Sequence, residues 1–446
     1  MPEPTWQQQF IAPDCHNLDQ LRQQGHAFVD LIVDQIFAQQ HQAFVQQTTW
    51  PKLVIPELGL DFDQLLTLIK WQILPGALNL YHPGYMGHMD SMPLAITIWA
   101  DALAAALQNN MLSSELAPIF TDLEAQLINW FVEFFGLPSG GFGSLVAGGS
   151  LANLTALLVA RNRWSSAYLE LGAKHSPQLV AFVSEAAHNS FAKAINVLGL
   201  GKRHLIRIPT NSRGEIELSR LEQAIGQAQA EGQIPFALVG VAGTTVTGAI
   251  DPLVDLAAIA RSHNCWFHVD AAYGGAVQFS PKFKHLLRGI ELADSITFNP
   301  QKWMWISRTC AMILVRDRQD LEQAFGESLS YMSTDELNFG NLTIQGTRRT
   351  DSLKLWLGLQ ALGTGGYADL IEHSMMLTEQ VRQLLANELE LLCEPTLNIL
   401  CWRDRPGYAA KAIKENRLWL SRPLWQNQRV LKGVVLHPYT DVELMN

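Results

Sequence analysis

The 446-residue sequence has few cysteines, few charged residues and no long apolar run, and each shortage excludes a class of protein. Five cysteines without a Cys-x-x-Cys pair make neither a disulfide framework nor a zinc site, so we expect a reduced, cytoplasmic compartment and no metal. The net charge of −10, without a Lys/Arg cluster, argues against nucleic-acid and membrane-surface partners. The start has no basic region before an apolar run, and Asp101 interrupts the apolar stretch 92–107, so neither a signal peptide nor a membrane span is predicted.

What is abundant is apolar sequence, 48% of the chain, which is enough for a large core and more than one domain. The first sixty residues carry an apolar stripe at helical spacing, which predicts an amphipathic helix: Leu18, Leu21, Phe28, Leu31 and Ile32. Beyond Pro138, buried strand-like runs alternate with helical patterns, which predicts a mostly parallel sheet. These runs are 179–184, 236–241, 265–270, 295–299 and 311–315, and a further strand is predicted at 430–436.

Two segments carry the strongest chemical signals. In SITFNPQKWMW (295–305) a buried strand ends at a turn and delivers Lys302 among aromatic side chains. Burial lowers the pKa of an amine and makes it a nucleophile suited to a Schiff base; a solvated lysine at a strand end is the alternative. In CWFHVDAAYGG (265–275) an apolar strand ends in Asp270, at the sheet edge where ligands bind. An ionised Asp270 would favour a protonated ring nitrogen, or it could cap the following turn.

Three further loops carry residues that could take part in chemistry. GFGSLVAGGSLANLTALLVAR (141–161) is a glycine-rich turn before a helix, whose amides could bind a phosphate; an ordinary helix capped by Ser150 is the alternative. It matches neither the P-loop nor the dinucleotide fingerprint. His188, in SEAAHNSFAKA (184–194), could stack on a ring or move a proton, or it could be structural. GTTVTGAID (243–251) places Thr244 and Thr245 in a loop that lines a pocket or forms an ordinary turn.

The order and spacing of these five features resemble the fold-type-I pyridoxal-5′-phosphate (PLP) enzymes, specifically the group II amino-acid decarboxylases. That family includes the glutamate, cysteine-sulfinate, diaminobutyrate and aromatic-L-amino-acid decarboxylases. The resemblance covers about residues 81–440, including YHPGYMGHMDSMP (81–93), NNMLSSELAPIFTDLE (109–124) and GTRRTDSLKLW (346–356). It implies an α/β fold like that of aspartate aminotransferase, with a mostly parallel seven-stranded central sheet flanked by helices and a small α+β C-terminal domain.

The resemblance also implies a reaction and a set of roles. An L-amino acid would lose CO2 through an external aldimine and a quinonoid to give the amine. Lys302 would carry PLP as a Schiff base, Asp270 would pair with its pyridine nitrogen, and His188 would stack on its ring. The other implied cofactor contacts are Gly149, Ser150 and Asn299 at the phosphate, Thr245 beside the ring and Ala272 on its second face. The implied substrate contacts are Gly87, His88, Asp90 and Lys432.

In this family the active site forms between two subunits, so the resemblance implies a homodimer with shared sites. The implied domains are an N-terminal helical segment over the partner subunit (1–90), a large PLP-binding domain (91–365) and a small C-terminal domain (366–446). The glycines at 363, 365 and 366 precede the last of these.

The sequence departs from the family's pattern at three places. Gln301 replaces the usual histidine before the Schiff-base lysine, and Lys432 replaces an arginine linked to substrate carboxylate binding. In the segment 331–345, Asn338 or Phe339 aligns with a tyrosine that serves as proton donor. These changes leave open an aldehyde synthase, an aminotransferase or a PLP-binding protein without turnover; a non-PLP phosphate-binding module is a further alternative. The stretches GHMDS and NNMLSSE look more like the glutamate, cysteine-sulfinate and diaminobutyrate branches than the aromatic one.

Overall fold

The structure is a computed structural model that describes residues 10–46, 49, 55–90, 92–164, 167–172, 178–326 and 336–445. Short 3-10 helices and loops join the main elements. The α-helices are α1 (Leu18–Gln35), α2 (Phe62–Leu68), α3 (Ala95–Leu107), α4 (Pro118–Phe134), α5 (Gly149–Trp164), α6 (Ala167–Leu171), α7 (Ser190–Val197), α8 (Leu218–Ala230), α9 (Leu253–Ser262), α10 (Arg318–Phe325), α11 (Asp351–Leu384) and α12 (Tyr408–Lys414). The strands are β1 (Phe142–Val146), β2 (Leu179–Ser184), β3 (Leu205–Ile208), β4 (Ile234–Val241), β5 (Trp266–Asp270), β6 (Ser295–Phe298), β7 (Ala311–Val315), β8 (Ile399–Arg403), β9 (Leu424–Trp425) and β10 (Gln428–Val434).

The central sheet has seven strands in the order β1-β7-β6-β5-β4-β2-β3, and it confirms the predicted fold class. Strands β3, β2, β4, β5 and β6 are parallel neighbours. Strand β7 pairs antiparallel with both β6 and β1. Strand β1 therefore runs in the same direction as β6, and its carboxyl end lies at the same edge of the sheet.

The central strands form where the sequence has runs of β-branched and aromatic residues, because helices cover both faces of a parallel sheet and bury every side chain. Strands β2, β5, β6 and β7 are buried along their whole length. All six predicted strands are present, with ends that differ by at most two residues. Strands β1 and β3 were not predicted, because FGSLV contains glycine and serine and LIRI is a four-residue edge strand with an exposed arginine.

Strand β1 is anchored to α4 by a buried ion pair. Arg348 Nη1 lies 2.9 Å from Glu124 Oε1, and both side chains are buried. Glu124 Oε1 also accepts from the backbone N–H of Leu145 at 3.0 Å, while Arg348 Nη1 donates to the Leu145 carbonyl at 2.8 Å. Each charge is thereby hydrogen-bonded as well as paired, which a buried ion pair requires.

A smaller unit follows the break in α11. Gly363 has φ of +63° inside this helix, so the helix is interrupted there. The antiparallel sheet β8-β10-β9 has a core of its own that includes Leu400, Trp402 and Leu431. The proposed limits at residues 90 and 365 remain predictions, although the break at Gly363 lies close to the second of them.

The N-terminal segment contributes to the smaller unit as well as to the surface. The backbone N–H of Val434 donates to the carbonyl of Met86 at 2.8 Å, and that of Met86 to the carbonyl of Trp419 at 3.1 Å. Residues 87–90 are thereby held beside β10. Helix α1 has no buried residue within the described chain. In the part of the chain that the structure describes, no helix is both long enough and apolar enough to cross a membrane.

Candidate active site

Five loops meet at the carboxyl edge of the central sheet. Val241 of β4, Asp270 of β5 and Thr297 of β6 are neighbours in the ladder, so the loops after these strands begin side by side. The loop after β1 reaches the same edge because β1 and β6 point in the same direction, with β7 between them. The loop after β2 carries His188. Ligands of open α/β sheets bind at this edge.

These loops enclose a cavity of about 390 Å³. All eight residues predicted to contact the cofactor line it, although they come from sequence positions up to 153 residues apart. They are Gly149, Ser150, His188, Thr245, Asp270, Ala272, Asn299 and Lys302.

Lys302 lies in the turn after β6, where its backbone N–H donates to the Asn299 carbonyl at 3.0 Å. Desolvation by burial lowers the pKa of its amine, and the charge of Arg308 acts in the same direction. The carboxylates of Asp270 and Asp90 oppose that shift without cancelling it. A lowered pKa increases the fraction of neutral, nucleophilic amine, which is what Schiff-base formation requires.

Asp270 ends β5 on the floor of the cavity and is buried. Its Oδ2 accepts from Asn153 Nδ2 at 2.9 Å, and its Oδ1 accepts from the backbone N–H of Ala272 at 3.1 Å. The two donors fix the orientation of the carboxylate and stabilise its negative charge. Asp270 therefore also has the alternative role predicted for it, because its bond to Ala272 caps the following turn. The same residue lines the cavity.

His188 lies at the cavity wall. Desolvation lowers the pKa of its imidazole, and Lys302 and Lys193 add to the shift, while Asp270 opposes it. The ring is therefore neutral near pH 7. Its Nδ1 accepts from the backbone N–H of Ser190 at 3.2 Å, so the proton of the neutral ring is on Nε2.

The glycine-rich loop approaches Asn299 closely. A Cβ on Gly149 would lie 2.9 Å from Asn299 Nδ2, so a side chain at position 149 would displace the Asn299 amide. Helix α5 begins at Gly149, which places Ser150 in its first turn at the positive end of the helix dipole. Asn299 Oδ1 is buried without a hydrogen-bond partner among the described residues.

The two threonines of the loop after β4 have different roles. Thr244 is buried, its Oγ1 lies 2.8 Å from Thr247 Oγ1, and it accepts from the backbone N–H of Ala249 at 3.0 Å. Thr244 thus holds the loop, while Thr245 lines the cavity.

The four predicted substrate contacts do not line this cavity. The charge of Lys432 acts on His88, and the charges of Lys302 and Asp90 act on Lys432, so these groups share one electrostatic neighbourhood. Asp90 forms an ion pair with Arg308. Gly87 faces the Trp419 ring, which leaves no room for a side chain.

Comparison with known proteins identifies the family to which this chain belongs. The family model described as pyridoxal-dependent decarboxylase conserved domain matches residues 50–405. The chain is 32% identical to the acidic amino acid decarboxylase GADL1 of Xenopus tropicalis over 370 residues, covering 80% of this chain and 71% of the relative. It is 30% identical to the aromatic-L-amino-acid decarboxylase of Bacillus atrophaeus over 416 residues, covering 90% and 85%. The crystal structure of mouse CSAD in apo form superposes with a TM-score of 0.89 at 25% identity and 96% coverage of both chains.

The chain belongs to the pyridoxal-dependent decarboxylases. It is a PLP-dependent enzyme that decarboxylates an L-amino acid. The residues of its cavity fit the cofactor chemically. The amide N–H groups of Asn299 and of the first turn of α5 could donate to a phosphate ester. The carboxylate of Asp270 could accept from a protonated ring nitrogen, and the amine of Lys302 could condense with an aldehyde.

The structure shows the contacts made at two of the three places where this decarboxylase departs from the family's pattern. Gln301 lines the cavity, and its Oε1 accepts from the backbone N–H of Cys310 at 2.6 Å. Phe339 is buried, and its ring centroid lies 6.0 Å from that of Phe142. The guanidinium of Arg348 lies 5.0 Å from the same Phe339 centroid. Asn338 Oδ1 accepts from the backbone N–H of Ser114 at 3.2 Å. Residues 327–335, which include Tyr331, lie outside the described residues.

Three residues in or around the cavity were missed in the sequence. Asn153 lines the cavity one helical turn after Ser150, so its place in GGSLAN was an available signal. His268 lies two residues before Asp270 on the same face of β5, as the period of two in a strand requires. Arg308 reaches Asp90 across 218 residues of sequence, and no local pattern indicates that pairing.

Proposed function

We propose that the cavity around Lys302 is where this enzyme decarboxylates its amino acid, with PLP held by Lys302, Asp270 and His188. The observation that supports this assignment is the convergence of eight predicted cofactor contacts on one cavity. Gly149, Ser150 and Asn299 would hold the phosphate, Ala272 and His188 would lie against the two ring faces, and Thr245 would lie beside the ring.

Bound at Lys302 and Asp270, PLP would supply an aldehyde for the substrate's amino group and an electron-withdrawing ring for loss of the carboxylate. The protein's residues provide orientation and charge. The lowered pKa of Lys302 increases the fraction of neutral amine that is available for binding and exchange. The neutral ring of His188 carries its proton on Nε2, where it can donate a hydrogen bond. Lys432 places a positive charge near Lys302, where a substrate carboxylate can be held.

We propose that the substrate has a charged side chain, acidic or diamino, rather than an aromatic one. The residues beside the cavity support this assignment, because Asp90, Arg308, Lys432 and His88 are polar and charged. Charged groups can discriminate substrates strongly, since an unmatched analogue leaves them without partners. The similarity to an acidic amino acid decarboxylase agrees with this proposal, while the similarity to an aromatic-L-amino-acid decarboxylase makes aromatic substrates its necessary test.

We also propose a homodimer in the cytoplasm. Helix α1 exposes apolar side chains that a second copy would cover, among them Leu18, Phe28, Val29 and Val33. Large unpaired apolar surface of this kind marks interaction sites. The five cysteines are free, which suits a reducing compartment.

The experiment that tests the activity is a panel assay of the purified, PLP-loaded protein. Glutamate, aspartate, cysteine sulfinate, 2,4-diaminobutyrate, phenylalanine, tyrosine and tryptophan are supplied separately, and CO2, amine, aldehyde and pyridoxamine phosphate are measured. We expect amine and CO2 in equal amounts from an acidic or diamino substrate. Lys302→Ala should abolish turnover and covalent retention of the cofactor after borohydride reduction, whereas Lys284→Ala, at an exposed surface lysine, should change neither.

Each other outcome contradicts a defined part of the proposal. Amine from an aromatic substrate alone would overturn the substrate class. Aldehyde as the main product would identify an aldehyde synthase, and stoichiometric pyridoxamine phosphate an aminotransferase. Full turnover by the Lys302→Ala protein would show that the chemistry occurs at another lysine.

A further inference from the structure

A chain of hydrogen bonds runs beneath the cavity and ends at Asp270. Trp266 Nε1 lies 2.7 Å from Ser295 Oγ, and Ser295 Oγ lies 2.8 Å from His268 Nδ1. His268 Nε2 lies 3.1 Å from Asn153 Oδ1, and Asn153 Nδ2 lies 2.9 Å from Asp270 Oδ2. All five side chains are buried, so the chain has no competition from bulk water. The strands β5 and β6 and the helix α5 each contribute to it.

The Asp270 end of the chain and a neutral His268 ring together determine the direction of every bond. The indole N–H of Trp266 can only donate, so Ser295 Oγ accepts from it and has its own hydrogen free for His268 Nδ1. The carboxylate of Asp270 can only accept, so Asn153 presents its amide nitrogen to Asp270 and its oxygen to His268. His268 must then donate at Nε2, and a neutral ring accepts at Nδ1 from the Ser295 hydroxyl. This is one tautomer of the neutral ring.

The surroundings of His268 are consistent with a neutral ring. Burial lowers its pKa to about 4, and the opposing effects of the Asp270 charge and of Ser295 are smaller. Thr297 Oγ1, at 3.5 Å from Nε2, is a second, weaker contact, and the Phe191 ring lies edge-on with its centroid 6.0 Å away. The second amide hydrogen of Asn153 goes to Ser190 Oγ at 3.0 Å, so the amide cannot turn around without losing two bonds.

We propose that His268 is a positioning residue, which acts through Asn153 to orient and charge-stabilise Asp270 for the ring nitrogen of the cofactor. All four bonds point their hydrogens toward Asp270, so their dipoles add at the carboxylate. Buried hydrogen bonds in series strengthen one another in this arrangement. The inference rests on the proposed role of Asp270 and extends it to residues that do not touch the cofactor.

The first test measures the tautomer of His268 in the wild-type holoenzyme. Protein labelled with 15N at histidine ring nitrogens is examined by NMR near pH 7, and the signals of His268 are assigned by their loss in His268→Gln. We expect one protonated nitrogen, Nε2, and one unprotonated nitrogen, Nδ1. A proton on Nδ1, or on both nitrogens, would overturn the directional chain. The same measurement on cofactor-free protein keeps this test independent of the proposed function.

The second test follows the charge state of the cofactor rather than turnover. The protein is loaded with PLP labelled with 15N at the ring, and the chemical shift of that nitrogen reports its protonation. His268→Phe keeps a flat ring but removes both hydrogen bonds, so we expect a shift toward the unprotonated form and about tenfold weaker PLP binding. His268→Gln retains a donor for Asn153 and should restore both readouts.

Thr297→Val is the matched control, because it removes a buried hydroxyl beside His268 that is outside the chain. It should leave the ring-nitrogen signal unchanged. If His268→Phe leaves the signal unchanged, or if Thr297→Val moves it equally, His268 has no positioning role. If PLP does not bind through Lys302 at all, the proposed function fails while the tautomer measurement still decides the direction of the chain.

Discussion

Lys432 is a basic residue whose side chain is almost completely buried. Its side chain is 2% exposed, and no carboxylate lies within ion-pair distance of it among the described residues. Burial lowers its pKa from 10.5 to about 8, and the positive charge of Lys302 adds to the shift. A lysine with so little compensation costs stability when it is protonated. We attribute this cost to binding of a substrate carboxylate.

Replacing Lys432 by methionine should stabilise the protein and impair its activity. Below pH 8 the lysine is charged in both folded and unfolded states, and its lowered folded-state pKa corresponds to a penalty of about 3 kcal/mol. We expect Lys432→Met to raise the free energy of unfolding in urea at pH 7 by up to that amount. The advantage should disappear between pH 8 and 10.5, because the folded wild type loses its proton before the unfolded chain does. Lys284→Met, at an exposed position, controls for the loss of a surface lysine.

The same residue predicts how substrate binding depends on pH. Above pH 8 the amine of Lys432 becomes neutral, so the wild-type KM should rise with pH while the KM of Lys432→Met, already high, should not. Steady-state kinetics between pH 7 and 9 measure this difference. A KM of the variant equal to that of the wild type at pH 7 would remove Lys432 from the substrate site.

At the scale of an element, the interruption of α11 depends on one backbone conformation. Gly363 has φ of +63°, which L-residues with a Cβ adopt only at a cost. No atom lies within 4 Å of a Cβ built on Gly363, and the same is true of Gly365, which has ordinary helical geometry. The two glycines therefore differ in backbone conformation and not in available space.

Alanine at these two glycines should have opposite effects on stability. We expect Gly363→Ala to lower the free energy of unfolding by about 1–3 kcal/mol, because φ of +63° with ψ of 178° is a conformation essentially restricted to glycine. Gly365→Ala should raise it by roughly 0.5–1 kcal/mol, because alanine favours the helix. Urea denaturation of both variants measures this. Equal effects would mean that the break at Gly363 does not persist in solution.

At the scale of the whole molecule, α1 presents apolar surface that the chain itself does not cover. Phe28 packs edge-on against Phe62 of α2, with ring centroids 5.8 Å apart, but remains 41% exposed. Val29 and Val33 lie one helical turn apart on the outer face, 42% and 41% exposed. A second copy of the chain is the partner that the family resemblance implies, with the N-terminal segment lying across it.

Two charges placed on that face should separate the subunits. Val29→Lys together with Val33→Lys buries two unpaired cations in the proposed interface, so sedimentation velocity should show monomers where the wild type shows dimers. Gln20→Lys with Gln23→Lys adds the same charge on the opposite side of α1, and these subunits should remain dimeric. A wild-type monomer at micromolar concentration, or dissociation by the control, would contradict the proposed interface.

Much of this protein could be read from its sequence, because the signals are local. A buried β-branched run followed by a loop with a polar residue is a feature of about ten residues. Such features predicted the mostly parallel sheet, and they predicted Lys302, Asp270 and His188 as candidate site residues, which line one cavity. The sequence also showed the family and the cofactor, since motif identity does not require knowledge of contacts.

Tertiary structure alone decided what those residues contact. Asn153 and Asp270 are 117 positions apart, and only the parallel pairing of strands under α5 brings their side chains within 2.9 Å. The role of Thr244 in holding the loop after β4 depends on how that loop closes on Ala249. The buried charge of Lys432 and the direction of the chain through His268 depend on which groups surround them. Such contacts join distant segments, and no local pattern of residues specifies them.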